Sequence, residues 1–106
     1  MLPSLQRAAG IGYRESGRRD APAVVLLHGI GSTSAVWRRQ FGPLGASYRV
    51  IAWDAPGYAD SEPLAAEVPQ SGDYARALGR LLDALGVAQC VLVTSSWGTL
   101  VALAYG

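Results

Sequence analysis

Three short apolar runs, each followed by turn-forming or polar residues, limit the possible folds of this chain most strongly. They are residues 24–27 (VVLL), 48–53 (YRVIAW) and 90–93 (CVLV). Runs of this length with many β-branched side chains are typical of strands that are buried on both faces of a parallel sheet. Because helical patterns separate the runs, the sequence predicts βαβ units and a fold of the α/β class.

Two helical segments are predicted between these strands. Residues 73–85 contain an apolar stripe with the spacing of one helix face. Gly86 follows this stripe, and glycine at that point commonly ends a helix. The stripe consists of Tyr74, Ala77, Leu78, Leu81, Leu82 and Leu85. Residues 34–41 form a shorter and weaker pattern, which Pro43 and Gly45 are expected to close.

The remaining segments predict an edge strand and a loop. Residues 11–17 alternate weakly and end at a glycine, which suggests an edge strand, and the segment before them is a candidate for another. Residues 56–72 are rich in proline, glycine, serine and acidic residues, so we expect a long connecting loop there. Cys90 lies inside an apolar run and is expected to be a small core residue rather than a reactive thiol.

Charge and composition argue against several kinds of partner and site. The nine basic residues are all arginines, scattered along a chain with a formal net charge of +1, so we expect neither nucleic acid nor a membrane as partner. No apolar segment is long enough to span a bilayer and the N-terminus lacks a secretory signal, which favours a cytoplasmic protein. Neither a metal nor another cofactor is expected, because the chain has no metal-ligand spacing and no G-x-G-x-x-G motif.

Residues with chemical potential follow each of the three apolar runs. In open parallel sheets, ligands bind at the carboxyl ends of the strands. At these ends the sequence has HGIG (residues 28–31), DAPG (54–57) and SSWG (95–98). We therefore expect the functional site to be built from these three turns.

The three turns resemble those of the α/β-hydrolase fold family. Its members commonly have an HG-x-G turn after the third strand, a D-x-P-G-x-G-x-S segment after the fourth and a G-x-S-x-G nucleophile elbow after the fifth. The corresponding segments here are HGIG, DAPGYADS (residues 54–61) and TSSWG (94–98). The resemblance covers residues 11–106 and implies a mostly parallel sheet with flanking helices. It also implies a serine hydrolase that acts on a small ester, lactone or activated C–C bond through an acyl-enzyme.

Ser96 is the candidate nucleophile by this resemblance. The elbow exposes the serine at a sharp turn, and small residues on either side let strand and helix approach closely. Gly98 meets this requirement, whereas Thr94 stands where the family usually has glycine. A helix N-cap is the alternative role for Ser96. A dehalogenase-type site would have aspartate at this position.

The other site residues are also assigned by the resemblance. The backbone amides of Ile30 and Trp97 are expected to form the oxyanion hole, the pair of donors that stabilises negative charge on the substrate oxygen. Gly29 and Gly31 are expected to let the backbone approach the substrate closely. An ordinary turn at the end of a strand is the alternative for these glycines.

His28 is the only histidine in the sequence, and Asp54 follows the second buried run. In the family pattern, the histidine of the HG turn orients its loop, and the catalytic base comes late in the chain, after the acid. We therefore expect His28 to be a supporting residue rather than the base, and Asp54 to hold the loop after its strand. Ala59 replaces the usual second glycine of its motif, and Gly57 lies in the same turn.

The catalytic acid and base are expected outside this chain, because the residues after Ser96 (WGTLVALAYG) include no Asp, Glu or His. Residues 1–106 are thus interpreted as the N-terminal portion of a single α/β-hydrolase domain. The portion is truncated after the elbow strand and its helix, and lacks the acid, base and lid. By itself it is expected to be inactive.

Truncation at this point would expose the edge of the last strand and a helix that is apolar nearly all round. Self-association or a complementing chain at this edge is therefore expected, with a small acyl compound as substrate. The alternative function is a non-catalytic remnant or binding module of the same fold. Four aromatic residues could line an acyl pocket or simply pack in the core: Trp37, Trp53, Tyr58 and Trp97.

Overall fold

The computed structural model of the protein describes residues 2–59 and 61–105. Within these ranges, five strands form one sheet in the order β1-β2-β4-β3-β5. The strands are β1 (Gln6–Ala8), β2 (Ile11–Ser16), β3 (Ala23–Leu27), β4 (Arg49–Trp53) and β5 (Cys90–Thr94). The helices are a 3-10 helix (Ser34–Trp37), α1 (Phe41–Gly45), α2 (Ser71–Ala84) and α3 (Gly98–Tyr105).

The sheet is mixed. Strands β4, β3 and β5, which correspond to the three apolar runs, pair in parallel. The two N-terminal strands pair antiparallel, β1 with β2 and β2 with β4. The strand predicted at residues 11–17 is confirmed as β2, and the candidate strand before it is confirmed as β1. The edge position predicted for residues 11–17 is wrong, because β2 has a neighbour on each side and β1 forms the edge. The alternation of apolar and polar residues in β2 is weak because only the first half of this strand is fully buried.

Strands β3 and β4 form the centre of the core, as their continuous apolar sequences predict. Residues 24–27 and 49–53 are all buried. Alternate side chains of β3 point to opposite faces of the sheet, so Val25 and Leu27 join the larger core, while Val24 and Leu26 join a smaller one. Helices α2 and α3 cover the larger core, whereas Phe41 of α1 belongs to the smaller.

Helix α2 confirms the longest predicted helix. It begins at Ser71 rather than at residue 73, and the Asp73 carboxylate accepts a hydrogen bond from the Gln70 amide at 2.8 Å. The apolar stripe faces the core, with Leu78 and Leu81 fully buried. Gly86 has a φ of +71°, the left-handed conformation expected just beyond a helix end.

The helix predicted at residues 34–41 is instead divided in two. Residues Ser34–Trp37 form the 3-10 helix, and α1 begins only at Phe41. Pro43 lies inside α1 rather than closing it. A proline is tolerated there because amides in the first turn of a helix have no intrahelical acceptor to lose. Gly45 is the last residue of α1, as expected.

Strand β5 lies at the open edge of the sheet and is covered on one face only. Cys90 and Leu92 pack against the larger core, and burial raises the pKa of the Cys90 thiol. On the other face, Val91 is 62% exposed and Val93 is 38% exposed. No helix in the described parts of the chain is long and apolar enough to cross a membrane.

Candidate active site

Ser96 lies in the turn between β5 and α3, where its backbone has a φ of +52°. Few residues other than glycine adopt this left-handed region, because the side chain crowds the backbone. The turn is closed by a hydrogen bond from the Gly98 amide to the Ser95 carbonyl at 3.0 Å. An N-cap residue has extended backbone, so this geometry does not match the alternative role for Ser96. The serine is exposed to solvent.

Gly98 begins α3 and lies directly against β3. A Cβ at this position would be 2.6 Å from the Leu27 carbonyl oxygen, closer than such atoms can approach. Only a residue without a side chain allows the helix to start so close to the strand. Thr94, at the other small-residue position, is accommodated with its hydroxyl 2.9 Å from that of Thr99.

The HG turn packs against the elbow. A Cβ on Gly29 would lie 3.3 Å from both the Ser95 carbonyl oxygen and the Ser96 Cβ. Gly29 thus allows close approach between the two turns. Gly31 has open space around it but a φ of +76°, so its conformation is the feature that favours glycine.

The two amides expected to form the oxyanion hole follow Gly29 and Ser96 in these adjoining turns. Among the described residues, the amides of Ile30 and Trp97 do not donate to any main-chain carbonyl. The Ile30 side chain is 71% exposed. Both amides therefore keep their hydrogen-bonding capacity for another acceptor.

His28 is completely buried between the turns that follow β3 and β4. Its Nε2 accepts a hydrogen bond from the Ala55 amide at 3.0 Å, so Nδ1 carries the proton and donates to the Gly29 carbonyl at 2.8 Å. Burial lowers the pKa of His28, although the Gly29 carbonyl and the charge of Asp54 oppose this effect. Both ring nitrogens are engaged by the main chain, which is the arrangement that a loop-orienting histidine requires.

Asp54 links the same two loops. One of its carboxylate oxygens accepts a hydrogen bond from the Ser34 amide at 2.6 Å. Ser61 extends this network, since its hydroxyl accepts from the Gly12 amide at 2.8 Å and donates to the Asp54 carbonyl at 2.6 Å. This role of Ser61 was not predicted from the sequence, although its place as the last residue of DAPGYADS was a usable signal.

The four aromatic residues proposed for a pocket have different positions. Trp53 is fully buried in the larger core, and Trp37 packs against the smaller one. Tyr58 and Trp97 stack beside the elbow, with ring centroids 5.9 Å apart, and Tyr74 meets Trp97 edge-on at 4.8 Å. Of the four, Tyr58 and Trp97 are thus the pair associated with Ser96.

The residues gathered at this site are a serine, main-chain amides and supporting polar groups. In the parts of the chain described by the structure, no three His, Cys, Asp or Glu side chains come together as a metal site would require. The sequence contains no histidine besides His28. The arrangement therefore places an exposed serine where two turns meet, and the Ile30 and Trp97 amides of these turns have no main-chain acceptor among the described residues. His28 is engaged by the main chain at both ring nitrogens.

Comparison with known proteins agrees with this geometry. A family model described as "alpha/beta hydrolase fold" matches residues 22–106. The chain is 35% identical over 91 residues to "Epoxide hydrolase 4" of Mus musculus, covering 85% of this chain and 25% of that protein. It is 38% identical over 97 residues to "2-hydroxy-6-oxo-6-phenylhexa-2,4-dienoate hydrolase" of Comamonas testosteroni, covering 88% and 33%.

A solved structure of a bacterial "membrane phospholipase A" superimposes with a TM-score of 0.88 at 32% identity, covering 96% of this chain and 34% of that one. The chain thus spans between a quarter and about a third of the length of these relatives. The family model covers most of the chain, and the fold and the order of its three motifs agree with it. The chain belongs to the α/β-hydrolase fold family.

Proposed function

We propose that this chain provides the nucleophile and the oxyanion hole of a serine hydrolase. Ser96 would attack the carbonyl carbon of a small ester, a lactone or the ketone of an activated C–C bond. The observation on which the proposal rests is the left-handed backbone of Ser96 at an exposed strand-to-helix turn. Strained backbone of this kind concentrates at functional sites.

The proposed reaction follows the general course of acyl transfer. As the Ser96 hydroxyl adds to the carbonyl, negative charge develops on the substrate oxygen, and the amides of Ile30 and Trp97 donate to it. Loss of one such donor typically lowers kcat by about 100- to 1,000-fold. Expulsion of the leaving group gives an acyl-enzyme, which water then hydrolyses.

The proton of Ser96 needs an acceptor other than His28, because both ring nitrogens of His28 are occupied by the main chain. We propose that acid and base belong to polypeptide beyond these 106 residues, joined to this chain or complementing it at the edge of β5. In this proposal, residues 1–106 are the N-terminal portion of one domain, the location is cytoplasmic, and the complete enzyme is this chain together with that polypeptide.

The relatives support hydrolysis as the general reaction, since their names describe an epoxide hydrolase, a dienoate hydrolase and a phospholipase A. Serine at position 96 favours the acyl-enzyme route within this range. A dehalogenase-type site would instead have an aspartate there.

The test is labelling and turnover in the complete enzyme. Ser96→Ala should abolish turnover of ester substrates and covalent labelling by a fluorophosphonate, while leaving the unfolding temperature close to that of the parent. Ser95→Ala is the matched control, because it removes a neighbouring exposed hydroxyl and should keep both activities. Labelling that persists in Ser96→Ala would contradict the assignment of the nucleophile.

A non-catalytic binding module is the second candidate, and the departures from the family pattern at Thr94 and Ala59 favour it. The intact mass of the protein in its own cell separates the two candidates. A mass well above 11.1 kDa, with an acid and then a histidine in the added sequence, supports the hydrolase. A mass near that value, with no labelling by the fluorophosphonate in cell extract, supports the binding module.

A further inference from the structure

A pair of hydroxyl groups bridges the two sides of the elbow. Thr94 is the last residue of β5 and Thr99 is near the start of α3, and their Oγ1 atoms are 2.9 Å apart. Either hydroxyl can be the donor. Among the described residues, no other side-chain hydrogen bond joins β5 to α3 across Ser96.

The turn that this pair spans has to hold an unfavourable conformation. A non-glycine residue in the left-handed region persists only where the surroundings determine its backbone. Main-chain hydrogen bonds close the turn from within, from the Gly98 amide to Ser95 and from the Thr99 amide to Ser96. The hydroxyl pair adds a constraint between the two ends of the turn. Threonine suits this task because its branched side chain has few χ1 rotamers to lose.

We propose that Thr94 and Thr99 are positioning residues that hold the elbow in the geometry in which Ser96 can react. The hydroxyl at position 94, where the family usually has glycine, then stabilises the turn instead of merely being tolerated. The structural part of this inference stands on the hydrogen bond itself. Its catalytic consequence rests on the proposed function of Ser96.

Amide hydrogen exchange tests the structural part without any need for activity. Thr94→Val and Thr99→Val keep the side-chain shape and remove one hydroxyl each. We expect each variant to speed exchange of the Thr99 and Leu100 amides by about two- to tenfold, the effect of losing one hydrogen bond. The double variant should exchange no faster than the faster single variant, and Thr94→Ser should restore slow exchange. Effects that multiply in the double variant, or no effect in either single variant, would overturn the inference.

Acylation of the complete enzyme tests the catalytic part. Thr94→Val should lower kcat or the rate of fluorophosphonate labelling by about two- to tenfold with little change in KM, and Thr94→Ser should recover it. Thr94→Gly restores the residue that is usual in the family and tests whether threonine is only tolerated at position 94. If the hydroxyl pair holds the turn, this variant should also be acylated more slowly than the parent. A Thr94→Gly enzyme that is as fast as the parent or faster overturns the inference.

The two proposals fail in different ways. If Ser96→Ala keeps its labelling, the nucleophile assignment is wrong, whereas the exchange result still decides whether the hydroxyl pair holds the turn. If Ser96→Ala loses its labelling but Thr94→Val labels at the parent rate, Ser96 is retained as the nucleophile and the positioning role is rejected.

Discussion

Among the described residues, three other than glycine have a left-handed backbone: Ala9, Ala59 and Ser96, with φ values between +47° and +52°. This conformation costs a residue with a Cβ about 1–2 kcal/mol. Ser96, which bears this cost, lies at the proposed active site. Ala59 lies in the turn after β4, at the place where the family usually has glycine, so its φ explains why glycine is usual there.

Ala59→Gly is therefore expected to raise the free energy of unfolding. The free energy recovered by relieving the strained backbone is larger than the stability lost because glycine makes the unfolded chain more flexible. The free energy of unfolding should therefore rise by about 0.5–1 kcal/mol. Urea denaturation measures this change. Ala46→Gly is the matched control, because Ala46 is also exposed but has a φ of −66°, and it should lose stability. A loss of stability in both variants would argue against strain at Ala59.

His28 should make the stability of the protein depend on pH. Burial lowers the pKa of His28 in the folded state, whereas the unfolded chain takes up a proton near the ordinary value of about 6.5. Below that pH the unfolded state binds more protons, so the free energy of unfolding falls as the pH decreases towards the folded-state pKa.

Urea midpoints measured between about pH 7.5 and about pH 5.5 test this expectation. The parent should lose stability over this range, and His28→Gln, which does not titrate, should show a much flatter profile whatever its absolute stability. Equal slopes for the two proteins would mean that other groups cause the pH dependence.

At the level of elements, the contact between the start of α3 and the end of β3 determines the elbow. The Gly98 backbone lies against the Leu27 carbonyl, while Val101, one turn further along α3, is buried in the larger core. The helix axis is therefore set at two points, and the turn with Ser96 is forced to fit between β5 and this helix.

Gly98→Ala should disrupt this contact. Its Cβ would meet main-chain atoms that cannot move aside, so we expect a loss of about 1–3 kcal/mol in the free energy of unfolding. Gly42→Ala is the control, because Gly42 also lies in a helix but has no atom within 4 Å of the added Cβ. That variant should be neutral or slightly more stable, given the helix propensity of alanine. Similar losses in both would show that packing against β3 is not the cause.

At the level of the whole molecule, the chain is compact but exposes apolar side chains on β5 and on α3. Its Cα radius of gyration is 12.5 Å, close to the value of about 13 Å expected for a globular chain of this length. The exposed side chains are thus not a result of loose packing. Val91 and Val93 lie on the open edge strand, and Leu100 and Leu103 of α3 are 56% and 73% exposed.

We expect the 106-residue chain by itself to self-associate through the edge of β5, because an unpaired apolar edge strand is a template for intermolecular pairing. Light scattering coupled to size exclusion measures the mass in solution. Val91→Lys, which places a charge on the exposed face of β5, should shift the population towards monomer, whereas Val68→Lys, at an exposed valine in the loop before α2, should not. A monomeric parent with one cooperative unfolding transition would contradict this expectation.

The sequence was sufficient for those features that depend on local pattern. Continuous apolar runs predicted β3 and β4, and the apolar stripe before Gly86 predicted α2. The two patterns differ because a strand buried on both faces is apolar throughout, whereas a helix buried on one face is apolar at every third or fourth residue. The three turns were found from the end points of these runs. Features set by partners distant in the chain were not predicted correctly, such as the two neighbours of β2. The placement of Pro43 inside α1 was missed for a local reason, because a proline in the first turn of a helix loses no intrahelical hydrogen bond.

By itself, therefore, the sequence determined the α/β class, the order of the elements and the turns in which the candidate site lies, since each depends on residues that are near one another in the chain. Tertiary structure alone decided the left-handed backbone of Ser96, the engagement of both His28 nitrogens and the hydrogen-bond partners of Ser61. These features arise where β3, β4 and β5 bring separate loops together, and contacts between loops leave no periodic signal in the sequence of any one of them.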